Sequence, residues 1–214
     1  MGRTVLLTGF EPFASFTANP SQDVAKALDG RAAGPVLVRS AVLPVDHARA
    51  PAVVADLIEE TDPAAVVHLG LAAGRARIAL ERVAVNVMDF DTPDNAGYSA
   101  CGEPCVPGGP AAYFATLPLP AILDRLRDEG IPAYLSNTAG TYLCNQTMYT
   151  TLHRLATLRR RTPAGLVHLP LSPAMVAQAN LDQPSMDVAL MVRAVEVALE
   201  VVGGRGIEPL TSAL

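Results

Sequence analysis

The sequence predicts an α/β fold, with a mostly parallel sheet covered by helices on both faces. Strand-like and helix-like segments alternate along most of the chain, and the strand-like segments are nearly continuous apolar runs. Strands of that kind fit a parallel sheet buried on both faces, because neither face is left for polar side chains. No repeat, low-complexity tract or linker divides the 214 residues. We therefore expect a single domain over residues 1–214, with a loosely held tail from about residue 203.

Apolar periodicity, with glycines and prolines between the apolar runs, predicts the individual elements. Asn19 and Pro20 mark a helix start, because Asn caps free N–H groups and Pro fits the first helical position. Gly30 and Gly130 end two of the helices. In chain order we expect strand 3–8, helix 20–28, strand 36–42, helix 48–60, strand 64–69, strand 83–88, helix 118–128, strand 131–135, helix 144–158, strand 165–169 and helix 185–202.

The segment 70–83 joins two predicted strands and is too short for a crossover helix. A hairpin there makes the sheet mixed, while most of its strands stay parallel. We expect such a mixed sheet.

Composition excludes several classes of function. Half of the residues are hydrophobic, only 17% are charged and the mean hydropathy is +0.28, which indicates a core-rich chain. The net charge of −5 and the pI near 5.3 argue against a nucleic-acid or anionic membrane surface. We find neither a signal peptide nor an apolar run near the ~20 residues of a membrane span. Three cysteines do not make a secreted disulfide framework, so we expect a cytoplasmic protein.

Cys144 is the clearest candidate for chemistry, because it lies at the predicted start of helix 144–158. It follows the small residues 138–140, and Met148 and Leu152 come after it at helical spacing. The helix dipole and free N–H groups there favour a nucleophilic thiolate and can hold an oxyanion. The alternative is that Cys144 is a small buried apolar residue.

Two strand exits carry further candidates, since sites in open α/β sheets form at the carboxyl ends of strands. Phe10, Phe13 and Phe16 lie in the loop after the first strand, where they either anchor the loop or line an apolar slot. Glu81 beside Arg82 is typical of a solvated surface pair, although it also suits a site.

The four histidines differ in their surroundings. His168 lies in an apolar strand, so it is either a hydrogen-bonded core residue or a catalyst. We place His47 and His153 within helices and His68 inside an apolar strand, which makes them weaker candidates.

Signals for cofactors and metals are weak. The glycines of segment 70–74 match neither GxGxxG nor GxxxxGK[ST]. Cys101 and Cys105 form a C-x3-C pair with no second pair, and we interpret both as loop residues. We expect no cofactor and no metal. The sequence leaves open whether segment 98–108 is ordered.

Glu81, Cys144 and His168 together supply the parts of an acyl-transfer triad: a carboxylate, a thiol and an imidazole. Cys144 follows a strand-to-helix turn and His168 lies on the next strand. In a βαβ unit such positions become neighbours at one edge of the site.

Seven motifs, which span most of the chain, carry a resemblance to a known family. They are GFEPF at 9–13, NPS at 19–21, ERVAVNV at 81–87, TPDNAG at 92–97, GPAAYFATLP at 109–118, AGTYLCN at 139–145 and VHLPLSP at 167–173. The chain resembles the pyroglutamyl peptidase (pyrrolidone-carboxylate peptidase) family, small intracellular cysteine peptidases. The order and the spread of these motifs make this resemblance far more specific than any single motif.

The resemblance implies removal of an N-terminal pyroglutamyl residue from peptides through a thioester. Cys144 would be the nucleophile, His168 the general base and then acid, and Glu81 the group that orients His168. It also implies a three-layer α/β/α sandwich with a twisted, mostly parallel sheet, and a homodimer or homotetramer.

The resemblance further implies a pocket for the pyroglutamyl ring, lined by Phe10, Phe13, Asn19, Leu71, Thr92, Tyr142 and Leu143. A pyroglutamyl ring is a neutral lactam, so its pocket needs an apolar slot and hydrogen-bond partners rather than a carboxylate facing an amine. Proline lacks the lactam oxygen, so polar groups left unpaired would reject it.

Two positions depart from the family pattern, which often has Gln at position 71 and Arg at position 91. Leu71 can still offer its backbone to the pocket. Asp91 places an anion where relatives carry a cation, so it either opposes oxyanion formation or points away from the site.

Two other functions fit parts of the sequence. A non-catalytic binding protein that kept the aromatic slot would bind pyroglutamate without turnover. A nucleoside phosphorylase-like enzyme shares only the general fold, and no phosphate-binding glycine loop supports it.

Overall fold

The computed structural model describes residues 3–204. Its elements are β1 (Arg3–Phe10), α1 (Pro20–Leu28), β2 (Ala32–Ala33), β3 (Val36–Leu43), α2 (Arg49–Thr61), β4 (Ala65–Leu71), β5 (Ile78–Glu81), β6 (Val83–Val85), β7 (Ala112–Phe114), α3 (Leu119–Asp128), β8 (Ala133–Ser136), α4 (Leu143–Thr157), β9 (Ala164–Leu169), α5 (Pro173–Gln178) and α6 (Val188–Gly204). Most of them match the expected segments to within a few residues.

Seven strands form the main sheet in the order β2-β3-β1-β4-β9-β5-β8. The strands β3, β1, β4 and β9 are parallel, whereas β5 runs antiparallel to β9 and parallel to β8. The expected mixed, mostly parallel sheet is therefore confirmed. The expected hairpin is wrong, because β9 lies between β4 and β5.

Helices cover both faces of this sheet and bury two separate cores. On one face Val24 of α1, Ile122 of α3 and Met191 of α6 pack against the strands. On the other face Val54 of α2 and Met148 of α4 do so. The sheet thus sits between two helical layers, and the predicted α/β/α sandwich is confirmed.

The start of α1 forms for the reason that the sequence suggested. The Oδ1 atom of Asn19 accepts a hydrogen bond from the backbone N–H of Ser21 at 3.1 Å. Pro20 occupies the first helical turn, and Gly30 follows the helix with a φ of 70°.

The predicted strand 83–88 is wrong in length and in place. Only Val83–Val85 is a strand, and it pairs with Ala112–Phe114 in a separate two-stranded sheet. The core strand is Ile78–Glu81, just before it, which the prediction missed because its apolar run is only three residues long. The helix Pro173–Gln178, which Ser172 caps, was also missed.

The last helix begins later and ends later than predicted. Val188–Gly204 is helical, and Gly203 packs so closely on β3 that an added Cβ would lie 2.7 Å from Val36. The expected loose tail from about residue 203 stays a prediction, because residues 205–214 lie outside the described residues. Among the described residues no helix has the length and apolar character that a membrane span requires.

Candidate active site

Glu81 and His168 lie on neighbouring antiparallel strands and face the same side of the sheet. Glu81 is opposite Leu166 in the register, which makes His168 its diagonal neighbour. The Nδ1 atom of His168 donates to the Glu81 Oε1 atom at 2.8 Å. Glu81 is fully buried and His168 is 95% buried, so solvent does not compete for this hydrogen bond. The Glu81 carboxylate therefore holds the His168 ring in one orientation, in which the Nε2 atom points away from Glu81.

Cys144 lies on the Nε2 side of the His168 ring, in the first turn of α4. Cys144 and His168 line the same cavity. A Cβ built on Gly70 would lie 2.6 Å from the Cys144 Sγ atom and 3.0 Å from the His168 Nε2 atom. The sulfur and the ring nitrogen thus meet at the carboxyl end of β4, in space that the glycine leaves open.

The two partners of His168 set its protonation. Burial by itself lowers the pKa of His168, but the neighbouring Cys144, and then the Glu81 carboxylate, raise it to about 9. A raised pKa means that the protein stabilises the imidazolium form. The arrangement can therefore hold a thiolate–imidazolium pair, with Glu81 behind the imidazolium.

Asn145 holds the start of α4 in place. Its Nδ2 atom donates to the carbonyls of Val85 and Val87, and its Oδ1 atom accepts from the N–H of Val85 at 2.9 Å. No side chain caps the helix at Tyr142. The N–H groups of the first turn are consequently left for a ligand, as an oxyanion site requires.

A cavity of about 230 Å³ opens beside Cys144 and His168. Six of the seven predicted pocket residues line it: Phe10, Phe13, Asn19, Leu71, Tyr142 and Leu143. The Phe13 and Tyr142 rings lie 5.6 Å apart, and burial raises the pKa of Tyr142 to about 12. Phe16 does not line this cavity and packs beside Met175 instead. The cavity is a mostly apolar slot with few polar groups.

Thr92 is the predicted pocket residue that the structure leaves out. It is exposed and not among the residues that line the cavity. The turn itself is held at two points: the carboxylate of Asp94 accepts from the N–H groups of His47, Ala96 and Tyr98, and the Tyr142 hydroxyl donates to the Pro93 carbonyl. Asp91, in the same turn, is also exposed and outside the lining.

Asn19 lines the cavity, but most of the hydrogen-bonding capacity of its side-chain amide is already used within the protein. Its Nδ2 atom donates to the Glu11 carbonyl at 3.0 Å, and its Oδ1 atom accepts from the N–H and hydroxyl of Ser21. One hydrogen of the amide remains for a ligand. Asn19 therefore shapes the aromatic loop as well as facing the cavity.

Arg75 is a site residue that the sequence interpretation missed. Its Nη1 atom donates to the Glu81 Oε1 atom at 2.6 Å, and it lines the cavity. The alternative interpretation, a solvated surface pair of Glu81 and Arg82, is wrong, because Glu81 is buried and Arg82 binds Asn137. Glu81 and Arg75 are six positions apart, a spacing that no local pattern singles out.

The remaining histidines have structural surroundings. His47 is not in a helix as expected but in the turn before α2, because Asp94 binds its backbone N–H and its ring. His68 is buried between Thr8 and Thr151, and burial lowers its pKa to about 3. His153 lies in α4, as predicted.

One group among residues 3–204 has a spacing that suits a metal ion: Asp46, His47 and Asp94, whose ligand atoms lie within 4.8 Å of one another. These carboxylates already accept backbone N–H groups, including those of Ala48 and Arg49. The cluster therefore works as a turn anchor.

The segment 98–108 is held against the domain. Met88 and Glu103 bond through both backbone groups, and Tyr98 stacks on His47 with ring centroids 3.6 Å apart. Cys101 is exposed and Cys105 half-buried, both with free thiols. Burial raises the pKa of Cys105 to about 11, so that thiol stays protonated.

Known proteins of one group resemble this chain over nearly its whole length. A family model described as pyroglutamyl peptidase matches residues 3–204. A pyrrolidone-carboxylate peptidase of Pyrococcus furiosus is 44% identical over 200 residues, covering 92% of this chain and 96% of the relative. One of Klebsiella pneumoniae is 47% identical over 199 residues, covering 92% and 91%. A solved mutant pyrrolidone carboxyl peptidase of Pyrococcus furiosus matches with a TM-score of 0.92 at 43% identity, covering 94% of this chain and 99% of that one.

Proposed function

The chain belongs to the pyroglutamyl peptidase family, and from that membership we propose that it removes an N-terminal pyroglutamyl residue from peptides through a Cys-His-Glu triad. Cys144 is the nucleophile, His168 is the general base and then the acid, and Glu81 orients His168. One observation carries the assignment: the Nδ1 atom of His168 bonds the Glu81 carboxylate, while its Nε2 atom and the Cys144 Sγ atom lie 3.0 Å and 2.6 Å from the same point, the Cβ position of Gly70. These are the relative positions that a nucleophile, its base and an orienting group require.

Acylation begins when the Nε2 atom of His168 takes the proton of Cys144. The sulfur attacks the pyroglutamyl carbonyl carbon, a C–S bond forms, and the carbonyl oxygen becomes negative. The uncapped N–H groups at the start of α4 stabilise this oxyanion. The C–N bond then breaks, and His168 gives its proton to the departing amine. A thioester of Cys144 remains.

Deacylation repeats these proton transfers with water. The Nε2 atom of His168 takes a proton from water, and the hydroxyl oxygen attacks the thioester carbon. The C–S bond breaks, the sulfur regains its proton from His168, and pyroglutamate leaves. Positioned proton transfer of this kind contributes roughly 10²- to 10⁴-fold to the rate.

The cavity beside Cys144 suits the lactam ring. Phe13 and Tyr142 supply an apolar slot, and the free amide hydrogen of Asn19 can donate to the lactam oxygen. No carboxylate is among the lining residues of this cavity, which fits a substrate residue without a free ammonium group.

Hydrolysis of a chromogenic pyroglutamyl amide tests the proposal. We expect turnover by the wild-type chain, loss of turnover in Cys144→Ala while the chain stays folded, and inactivation by iodoacetamide. Cys101→Ala is the matched control, because Cys101 is an exposed thiol in the segment 98–108, and it should keep full activity. Full activity in Cys144→Ala, or pyroglutamate binding without turnover in the wild type, contradicts the proposed mechanism.

The homodimer or homotetramer and the cytoplasmic location stay predictions. Light scattering on the purified chain measures the first, and fractionation of the source cells measures the second.

A further inference from the structure

We propose that Arg75 is a positioning residue, which keeps Glu81 ionised and directed at His168 while His168 gains and loses its proton. This inference rests on the proposed function, because it assigns Arg75 a task within the same triad. Arg75 would act through Glu81 and not by contact with the reacting atoms.

The hydrogen bonds of Glu81 point to this role. Its Oε1 atom accepts from the Nη1 atom of Arg75 at 2.6 Å and from the Nδ1 atom of His168 at 2.8 Å. Its Oε2 atom is buried, with no hydrogen-bond partner among residues 3–204. One carboxylate oxygen therefore joins the arginine to the histidine, and a shift of Arg75 is felt at the His168 ring.

The charge of Glu81 needs a permanent partner. A fully buried carboxylate with no cation beside it tends to take up a proton, because burial disfavours the charged form. His168 is a cation only during part of the cycle, since it passes its proton to the leaving amine. Arg75 stays charged throughout.

A proton on Glu81 would put the His168 ring in the wrong tautomer. The carboxyl O–H would donate to Nδ1, so the neutral ring would carry its own hydrogen on Nε2. That nitrogen could then accept a proton from neither Cys144 nor water. With an ionised Glu81, Nδ1–H donates to the carboxylate and the lone pair of Nε2 is free.

Arg75 is placed to hold this position. It follows Gly74, whose φ of +81° turns the chain at the end of β4, and its Nη2 atom faces the Thr138 carbonyl at 3.4 Å. Only 26% of the Arg75 side chain is exposed, and it lines the cavity. It therefore links the carboxylate to the segment that leads into the Cys144 helix.

Steady-state kinetics on a pyroglutamyl amide test the proposal with Arg75→Met, Arg75→Lys, Glu81→Gln and the double variant Arg75→Met/Glu81→Gln. We expect Arg75→Met to lower kcat by roughly 10- to 100-fold, part of what positioned proton transfer contributes, with KM within about threefold of wild type. Arg75→Lys should keep more activity, and millimolar guanidinium chloride should restore part of kcat in Arg75→Met. The control Arg82→Met, a neighbouring exposed arginine that binds Asn137, should match wild type.

The double variant separates positioning from substrate contact. If Arg75 acts through Glu81, the double variant should be no slower than Glu81→Gln alone, because neighbouring residues in one network are not additive. The inference is overturned if the fold losses in kcat of the two single variants multiply in the double variant, or if Arg75→Met leaves kcat unchanged. Neither result affects the proposed function, because the wild-type enzyme would still be active and dependent on Cys144. An inactive wild type or an active Cys144→Ala instead overturns the proposed function. Should Arg75→Met fail to fold, Arg75→Lys with and without Glu81→Gln decides the matter.

Discussion

Gly70 and His168 are register partners on the neighbouring parallel strands β4 and β9, and only hydrogen occupies the side-chain position of Gly70. An added Cβ would lie 2.6 Å from the Cys144 sulfur and 2.8 Å from the His168 Cδ2 atom. Both contacts are shorter than carbon allows, so the contact of sulfur and imidazole depends on the missing side chain.

We therefore expect Gly70→Ala to lose activity through displacement of Cys144 and His168. The fall in kcat/KM should be at least about 100-fold, as for loss of positioned proton transfer. Hydrolysis of a pyroglutamyl amide measures it, together with the melting temperature. Gly204→Ala is the control, because its added Cβ meets nothing within 4 Å. Near wild-type kinetics in Gly70→Ala would mean that catalysis does not depend on the close approach of Cys144 and His168 at this position.

Phe13 should contribute to ring binding more than to the chemical step. We expect Phe13→Ala to raise KM about tenfold with a smaller change in kcat, because removing a half-buried ring costs on the order of 1 to 2 kcal/mol of apolar contact. Phe16→Ala is the matched control, since Phe16 packs beside Met175 and does not line the cavity. An equal rise in KM for both variants would show that the substitutions disturb the loop after β1 and do not act through the loss of a ring from the cavity.

Asp91 should have little electrostatic effect on catalysis. Its side chain is exposed and outside the cavity lining, where solvent and salt screen its charge. We expect Asp91→Arg to change kcat/KM by less than about threefold at physiological ionic strength. A rise of tenfold or more, reduced by added salt, would instead mean that Asp91 opposes the developing oxyanion.

The raised pKa of His168 should make the folded state less stable at alkaline pH. The pKa rises from 6.5 to about 9 on folding, since Cys144 and Glu81 outweigh the effect of burial. Counted for His168 alone, the native state binds more protons than the unfolded chain between these values, so the contribution of this group is complete below pH 6.5 and lost as pH rises through 9.

Urea unfolding at several pH values measures this slope. Cys144→Ala removes the largest stabilising influence on the imidazolium, so its free energy of unfolding should depend less on pH between 6.5 and 9. Equal slopes in the two proteins would count against a charged pair of Cys144 and His168 in the folded state.

The sequence was informative where the signal is local. Continuous apolar runs identified most strands of the sheet, and Asn19-Pro20 identified a capped helix. The structure brings Glu81, Cys144 and His168 together, and each had been named from its residue type and motif. Such signals are short in sequence and do not depend on how the sheet is ordered.

The features that could not be predicted from the sequence depend on contacts between residues far apart in the chain or on irregular segments. Strand β5 has only four residues, and its place beside β9 follows from the fold rather than from any pattern. Arg75 was missed because Arg82 stands next to Glu81 in sequence, whereas the strand turns Arg82 towards Asn137. Thr92 belongs to a family motif, but its side chain is exposed and lies outside the cavity lining.

The position of β9 between β4 and β5 has a consequence for synthesis of the protein. A nascent chain that ends after α4 contains β4 and β5 but lacks β9, which lies between them. Each of these two strands then presents an unpaired edge. The sheet closes only after residue 169 has left the ribosome, and His168 arrives on the same strand. Truncation before that point therefore yields an aggregation-prone fragment and not a smaller working domain.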